Sequence, residues 1–288
     1  MTKSNNLKRE FQVKDHAVSQ ETFRLIFNHN LELYQTVPTP SPENLPKYYE
    51  SQDYISHTHQ GRNLFEKVYG LIRAIAIKRK IKLIDSFALK GRRLLDYGCG
   101  TGDFLQACSK NGWDIVGVEP NPGARKIANS KTENRIHTET ILDQLADNSI
   151  DVITLWHVLE HIPDYDAIIS KFSRILAHDG RILVAVPNYN SYDAEYYKEY
   201  WAAFDVPRHL WHFSKTSISK IFQNHGYSIC KIHPMKFDSY YVSLLSEKYK
   251  GGKMKYFSAL YRGWLSNQKA RRSGEYSSLI YVLKPISD

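Results

Sequence analysis

A turn of alternating glycines places the strongest constraint on how this chain can fold. Gly98, Gly100 and Gly102 lie between an apolar run that ends in the acid Asp96 and a stretch of helix-forming residues. This order predicts a strand, a tight turn and a helix. Glycine at every second position removes the Cβ atoms that would keep a ligand away from the backbone. Because the turn's N–H groups and the positive end of the helix face the same space, we expect a polar, partly anionic small molecule to bind there.

Strands and helices alternate along the chain after Gly91, which predicts an α/β fold with a mostly parallel sheet and right-handed crossovers. The predicted strands cover residues 92–97, 114–119, 135–138, 150–156, 181–186, 227–235 and 277–284. The predicted helices cover residues 102–112, 121–130, 164–177 and 214–225. Ser214 is expected to cap the last of these helices.

The first part of the chain lacks this alternation. Residues 1–90 are expected to form a cap: a hairpin of residues 23–27 and 31–34, a proline-rich connector and an amphipathic helix at 64–86. Residues 91–288 then form the main domain. Two insertions, at about 188–213 and 236–275, are expected on the side where a substrate binds.

Composition excludes several classes of protein. The chain has 42% hydrophobic and 24% charged residues, and no apolar run of about 18 residues occurs. We therefore expect no membrane span and no membrane partner. The N-terminus lacks the apolar segment of a signal peptide, and the three cysteines are scattered without paired spacing. These features predict a cytoplasmic protein without structural zinc.

The formal charge of +9 leaves two interpretations open. Much of it comes from the stretch Lys248–Arg272, which holds eight basic residues and no acid. A solvated basic face and an anion-binding surface both fit such a tract.

The glycine turn resembles motif I of the class I S-adenosylmethionine (SAM) methyltransferases, Asp-x-Gly-x-Gly-x-Gly. The dinucleotide fingerprint spaces its glycines as Gly-x-Gly-x-x-Gly instead. The segment Pro207-Arg208-His209-Leu210 is similar to a segment of Methyltransferase type-11/23 proteins and of quinone-type O-methyltransferases. The resemblance implies a Rossmann-like sheet of seven strands with the last strand antiparallel and helices on both faces. It also implies SAM as cofactor and S-adenosylhomocysteine as product.

The resemblance also implies which residues hold SAM. Glu119 ends the second strand, 17 residues beyond Gly102, and a carboxylate there can accept the ribose hydroxyls. His57 belongs to an aromatic segment at residues 48–58 that folds over the cofactor in this interpretation and is a surface strap in the alternative. The expected cofactor-binding residues are Asp96, Tyr97, Gly98, Cys99, Gly100, Gly102, Phe104, Glu119, Pro120, Thr140, Ile141, Trp156, His157 and His57.

The fourth strand is followed by His157-x-x-Glu160-His161, which matches the H-x-x-E-H of inverted zinc peptidases. Those enzymes carry the motif on a long helix, whereas here Pro163 follows at once, so we regard the match as fortuitous. Quinone-pathway relatives place a divalent ion near this turn, using an acid where this chain has His157. We expect no metal, and we expect Glu160 and His161 to stabilise the turn.

The segment Tyr196–Ser214 follows the fifth strand and combines aromatic side chains with convergent polar groups. In the similar families this region borders the pocket of the methyl acceptor. His209 is the first candidate general base and His212 the second, with Arg208 a further catalytic candidate. In the alternative, Arg208 and His209 form a buried structural pair that bonds to Asp205 and to the backbone.

These features predict a SAM-dependent methyltransferase that acts on O or N of a small or medium-sized polar metabolite. One alternative is an RNA methyltransferase that uses the basic tract, which is not favoured because no base-binding motif follows the fourth strand. A second alternative is a SAM-binding protein without catalysis. The sequence makes no prediction of oligomeric state.

Overall fold

The computed structural model describes residues 9–41, 43–49, 64–87 and 89–286. Within these residues the strands are β1 (Glu10–Lys14), β2 (Thr22–Asn28), β3 (Leu33–Val37), β4 (Arg93–Tyr97), β5 (Asp114–Val118), β6 (Ile136–His137), β7 (Ile150–Trp156), β8 (Leu176–Pro187), β9 (Trp211–His212), β10 (Tyr227–Pro234) and β11 (Ser278–Pro285). The α-helices are α1 (Leu64–Asp85), α2 (Asp103–Lys110), α3 (Pro122–Lys131), α4 (Tyr165–Ile175), α5 (Tyr192–Tyr197), α6 (Lys215–Asn224), α7 (Asp238–Gly251) and α8 (Tyr256–Ser273).

The central sheet has the strand order β10-β11-β8-β7-β4-β5-β6. Strands β4 to β8 are parallel to one another, and β11 runs antiparallel between β8 and β10. The predicted α/β fold with seven strands and an antiparallel last strand is confirmed. Since β4, β5 and β7 are neighbours, their carboxyl ends meet at one edge, where open α/β sheets bind their ligands.

Several predicted boundaries differ by one or two residues, and the largest shift in the central sheet is at the start of β8. The helix expected at 164–177 ends at Ile175, and the chain enters β8 at Leu176 instead of residue 181. Leu176 is buried and pairs with Ile150 of the neighbouring strand. Burial of this apolar residue against the sheet outweighs continuation of the helix.

A second sheet forms at the N-terminus. Strands β1, β2 and β3 are antiparallel, and the expected hairpin is the β2–β3 pair. The free edge of β3 pairs with β9, through Tyr34 opposite His212 and Gln35 opposite Trp211. Residues of the acceptor-side insertion thus complete the N-terminal sheet, and the division at residue 90 stays a prediction.

Hydrophobic packing reinforces this junction. One buried cluster contains Phe23, Leu25 and Tyr34 of the N-terminal sheet together with Trp201 and Phe204 of the acceptor-side insertion. The remaining core covers the two faces of the central sheet. Among the described residues, no helix has both the length and the apolar character needed to cross a bilayer.

Candidate active site

The three glycines of the turn after β4 have different structural roles. All three have positive φ, +76° at Gly98, +56° at Gly100 and +76° at Gly102. A Cβ atom at Gly98 would lie 2.5 Å from the Val158 side chain, and one at Gly102 would lie 2.9 Å from Ala128. Around Gly100, by contrast, no atom of the described residues lies within 4 Å of that position. Gly98 and Gly102 therefore permit close packing, while Gly100 faces open space that a ligand can enter.

Glu119 lies directly beside this open position. Its side chain is buried at the end of β5; Oε2 accepts a hydrogen bond from the Gly100 N–H at 2.8 Å and Oε1 accepts one from the Asn121 N–H at 2.8 Å. A carboxylate oxygen can accept more than one hydrogen bond, so the fixed group keeps capacity for ligand hydroxyls. Pro120 follows and starts the connection to α3. This arrangement fits the ribose-binding acid that the resemblance implies.

Asp96 is buried at the end of β4 and accepts a hydrogen bond from Thr154 Oγ1 at 2.6 Å. Burial raises the pKa of Asp96 to about 7, although the Thr154 bond and the charge of Lys80 oppose that change. Burial likewise lowers the pKa of Lys80 to about 8. Lys80 Nζ lies 4.1 Å from the centroid of the Trp156 ring, which meets Phe104 edge-on at 5.6 Å.

The sequence analysis did not single out Lys80 as a site residue. The spacing of Lys80 relative to neighbouring apolar residues nevertheless indicates its position. Lys80 lies three residues after Ile77 and four before Ile84, which is the spacing of one helix face, and both isoleucines pack into the core. A cation on the core-facing side of α1 is unusual unless it has partners.

The other residues that were expected to bind the cofactor have different surroundings. Tyr97 points away from the turn: its hydroxyl donates to Glu139 Oε2 at 2.8 Å and its ring packs against Phe172. Burial raises the pKa of the Cys99 thiol, which leaves it protonated. Thr140 and Ile141 belong to a 3-10 turn after β6. His57 lies outside the described residues.

His157 follows β7 and has a positive φ of +57°. Its Nδ1 lies 3.4 Å from Glu160 Oε1 and its Nε2 lies 3.1 Å from Asp238 Oδ2. Burial lowers the pKa of His157, but these two carboxylates outweigh burial and raise that pKa to about 10. His157 is therefore an imidazolium at neutral pH, which bridges two acids and is not available as a base. Asp238, at the start of α7, is a partner that the sequence did not predict.

Glu160 lies at the centre of the polar residues on this edge of the sheet. It is fully buried, and neither carboxylate oxygen accepts a hydrogen bond from any described residue. Burial raises the pKa of Glu160, but the neighbouring histidines, His157 foremost, hold it below the usual range. Its Oε1 lies 3.9 Å from His209 Nε2.

Glu160, His161 and His209 also form a potential set of metal ligands. Within the described part of the chain, one ligand atom from each lies within 4.8 Å of the others. One carboxylate and two imidazoles suit several divalent ions. His157 is not in this set, and residues 159–161 form a 3-10 turn, which differs from the long helix of the zinc peptidases. The expectation that the chain holds no metal stays a prediction.

His209 and His161 are oriented by backbone carbonyls. His209 Nδ1 lies 2.9 Å from Ala203 O, and His161 Nδ1 lies 2.9 Å from Arg208 O. Because a carbonyl oxygen only accepts, each Nδ1 carries a proton, and each Nε2 has a lone pair when its ring is neutral. Burial lowers the pKa of His161 to about 4.

Arg208 and His212 lie at the junction with the N-terminal sheet. The Arg208 guanidinium is buried; it binds Asp205 at 2.7 Å and Asp15 at 3.0 Å and donates to Tyr48 O at 2.8 Å. These contacts match the structural alternative for Arg208, with Asp15 as an additional partner that the sequence did not indicate.

His212 is held by the same junction. Thr36 Oγ1 donates to His209 O at 2.6 Å and lies 2.9 Å from His212 Nε2, so that nitrogen is the donor of the second bond. Burial lowers the pKa of His212 well below 6.5. His212 therefore connects β9 to β3 as a neutral donor.

Comparison with known proteins agrees with this geometry. The ubiquinone biosynthesis O-methyltransferase of Idiomarina loihiensis is 32% identical over 109 residues, which cover 35% of this chain and 45% of that protein. The enzyme of the same name from Paracidovorax citrulli is 29% identical over 117 residues, which cover 38% of this chain and 49% of that protein. The chain thus spans about half the length of the curated relatives it matches.

Solved structures share the fold. Magnesium protoporphyrin IX methyltransferase from Synechocystis PCC 6803, with bound S-adenosylhomocysteine, has a TM-score of 0.55 at 17% identity, over 86% of this chain and 100% of that one. Geranyl diphosphate C-methyltransferase from Streptomyces coelicolor A3(2) has a TM-score of 0.54 at 13% identity, over 79% and 86%. A family model described as a methyltransferase domain matches residues 71–232. That match covers more than half of the chain, which therefore belongs to the methyltransferase-domain family and is a SAM-dependent methyltransferase.

Proposed function

We propose that this methyltransferase transfers a methyl group to an O or N atom of a small or medium-sized polar metabolite, with His209 as general base. The observation that carries the proposal is a polar group at the sheet edge beside the glycine turn, formed by the buried Glu160 and His209 and the half-buried His157 and His161. Val158, in the same turn as His157, packs against Gly98, so this group lies next to the cofactor site. The names of the similar proteins, which refer to ubiquinone, protoporphyrin and geranyl diphosphate, also favour a small-molecule acceptor.

The cofactor half of the proposal assigns SAM to the open space at Gly100. Glu119 would hold the ribose hydroxyls, and Asp96 and Trp156 would border the methionine part. When bound, SAM supplies a methyl group that its sulfonium already activates. The main task of the protein is then to align the acceptor with that methyl group and to exclude water.

The acceptor half assigns proton removal to His209. Its Nδ1 is fixed by Ala203 O, which leaves the Nε2 lone pair free to take a proton. Glu160 Oε1 at 3.9 Å and Asp205 Oδ2 at 4.0 Å from Nε2 would stabilise the imidazolium that forms. A base in this position suits a hydroxyl or amine acceptor that must lose its proton.

The remaining histidines near the site are less suited to this role. His157 already carries a proton, because its pKa is raised to about 10. His161 is a weak base with a pKa of about 4. His212 donates its Nε2 proton to Thr36 and lies in the junction with the N-terminal sheet. We therefore propose neither His212 nor Arg208 as catalytic.

Replacing His209→Asn tests the assignment, since the Asn amide can still donate to Ala203 O but offers no basic nitrogen. We expect turnover, measured as S-adenosylhomocysteine release with phenol, catechol and amine acceptors, to fall by roughly 10²- to 10⁴-fold. The affinity for SAM, measured by calorimetry, should not change. His178→Asn, at an exposed histidine on β8, is the matched control.

Two results would count against the proposal. Turnover by the His209→Asn protein equal to that of the control would exclude His209 as the base. Loss of folding in His209→Asn, with full turnover in the fraction that remains folded, would support the structural alternative.

A further inference from the structure

On helix α8 the small residues face the protein and the large apolar residues face solvent, which is the reverse of an ordinary surface helix. Its buried positions are Ala259, Gly263, Ser266 and Ala270. They fit against α5 and α7: a Cβ atom at Gly263 would lie 2.7 Å from the Tyr240 ring, and Ser266 Oγ donates to Asp193 Oδ1 at 2.6 Å. Small residues on this side allow the helices to pack closely, so the large side chains of α8 lie on the other side.

The large side chains form what we call the α8 outer face: Phe257, Leu260, Tyr261 and Trp264. Their spacing of three and four residues places them on one side of the helix. Phe257 is 91% exposed and Trp264 48%, and Tyr256 at the helix start is also exposed. Contiguous exposed apolar side chains of this size mark an interaction surface more often than ordinary surface.

Exposed cations flank the α8 outer face at both ends. Lys253 and Lys255 precede the helix, and Arg271 and Arg272 lie in its last turn. No acid occurs from Lys248 to Gly274. The surface therefore combines a central aromatic strip with positive charge on either side, which is the composition of helices that lie in the interface of anionic membranes.

We propose that the α8 outer face binds the surface of an anionic phospholipid bilayer, without spanning it. Aromatic side chains and Leu260 would enter the boundary between headgroups and acyl chains, while the four cations bind headgroup phosphates. A second copy of the chain is a poorer occupant, because a symmetric contact would bring the same cations together. Single-stranded RNA is also poorer, because Leu260 offers no ring on which a base can stack.

The location of the surface relates it to the active site. Helix α7, which packs against α8, begins at Asp238, and Asp238 binds His157. Membrane binding would hold this side of the enzyme at the bilayer. The proposal makes no assumption about the acceptor or about His209, so it can fail while the proposed function holds.

Co-sedimentation with vesicles tests the proposal. We expect the protein to bind vesicles of phosphatidylcholine with phosphatidylglycerol, and to bind pure phosphatidylcholine much more weakly. Phe257→Ser with Trp264→Ser should abolish binding, whereas Ile127→Ser, at an exposed isoleucine of α3, should not. Each of the four cations replaced by Gln should weaken binding roughly fivefold, the equivalent of about 1 kcal/mol. Unchanged SAM affinity of each variant verifies that it is folded.

Tryptophan fluorescence gives an independent readout. Among the five tryptophans only Trp264 is exposed, while the others are buried or half-buried. Anionic vesicles should shift the emission to shorter wavelength, and this shift should disappear in Trp264→Phe.

Several results would overturn the proposal. These are no binding to either kind of vesicle, equal binding to both kinds, and binding that Phe257→Ser with Trp264→Ser leaves unchanged. A dimer that the same variant dissociates would assign the face to a second copy. Tight binding of single-stranded RNA, lost in that variant, would assign it to nucleic acid.

Discussion

The proposed cofactor side and the proposed acceptor side of this protein are built in different ways. On the cofactor side, the glycine turn, Glu119 and Asp96 come from neighbouring parallel strands, and Gly100 bonds to Glu119 only 19 residues away. On the acceptor side, Arg208 bonds to Tyr48, 160 residues away, and to Asp15, 193 residues away. The proposed cofactor site is thus built within one supersecondary unit, whereas the segment around Arg208 depends on the N-terminal sheet. The first of the following changes tests whether the two sides are separable, and the others test one side at a time.

The largest effect is expected from Arg208→Met. This change leaves Asp15 as a buried carboxylate without its cation, and breaking such a buried pair costs about 3–5 kcal/mol of unfolding free energy. Urea denaturation measures that loss. The protein that remains folded should still bind SAM normally, because none of the contacts of Arg208 with described residues reaches the glycine turn.

A matched control is available at the same junction. Lys220 of α6 binds Glu32 near β3 at 2.7 Å, but these two side chains are 36% and 42% exposed. Lys220→Met should therefore cost no more than about 1 kcal/mol. If Arg208→Met protein is folded and has lost SAM binding, the two sides are coupled and the comparison fails.

A smaller effect is expected on the cofactor side from Gly100→Ala. The added methyl group occupies open space, so it clashes with no described atom but reduces the room for SAM. We expect SAM affinity to fall at least about tenfold, which is about 1.4 kcal/mol. Gly112→Ala is the control, since Gly112 also has a positive φ, +81°, and no atom of the described residues lies within 4 Å of its Cβ position. Both variants should lose roughly 1–2 kcal/mol of stability from backbone strain, and only the first should lose SAM affinity by calorimetry.

The smallest effect is a change in pH dependence caused by His212→Gln. Because burial lowers the pKa of His212, the folded protein keeps it neutral, while the unfolded chain takes up a proton below about pH 6.5. Its contribution to stability is full above that pH and is lost as the pH falls further. His161, whose pKa is also lowered, adds to the same slope.

Gln can still donate to Thr36 but does not titrate in this range. The unfolding free energy of His212→Gln should therefore decrease less between about pH 7 and about pH 5 than that of the wild type, by at most about 1.4 kcal/mol per pH unit. If urea denaturation shows the same decrease in unfolding free energy between these pH values for the variant and the wild type, His212 does not titrate as argued.

Features that depend on local sequence were predicted, whereas features that depend on distant residues were not. Strand β7, at Ile150–Trp156, was predicted with its observed bounds, and Ser214 caps α6 as expected, because both depend on local sequence. Strand β9 has two residues and pairs with β3, and no local periodicity indicates so short a strand. The early start of β8 at Leu176 likewise depends on pairing with Ile150.

The charge states and ion pairs of the site residues could not be predicted from local sequence either. The imidazolium of His157 depends on Asp238, 81 positions later in the chain, and the role of Arg208 depends on Asp15. For α8, the sequence indicated a basic tract within an insertion on the substrate side, and we expected no membrane partner. The repeat of small residues at Ala259, Gly263, Ser266 and Ala270 was a readable sign that the large side chains face outward.

The pairing of β3 with β9 has a consequence for the order in which the chain is made and folded. The hydrogen bond from Thr36 cannot form until His209, 173 residues later, has been synthesised. At about 5–20 residues per second, synthesis of that interval takes roughly 10–35 s. Throughout this time the nascent hairpin presents the open edge of β3, which is the kind of edge that pairs with other chains. The N-terminal sheet therefore cannot be completed until β9 has been synthesised, and during that interval the open edge of β3 needs protection on the ribosome.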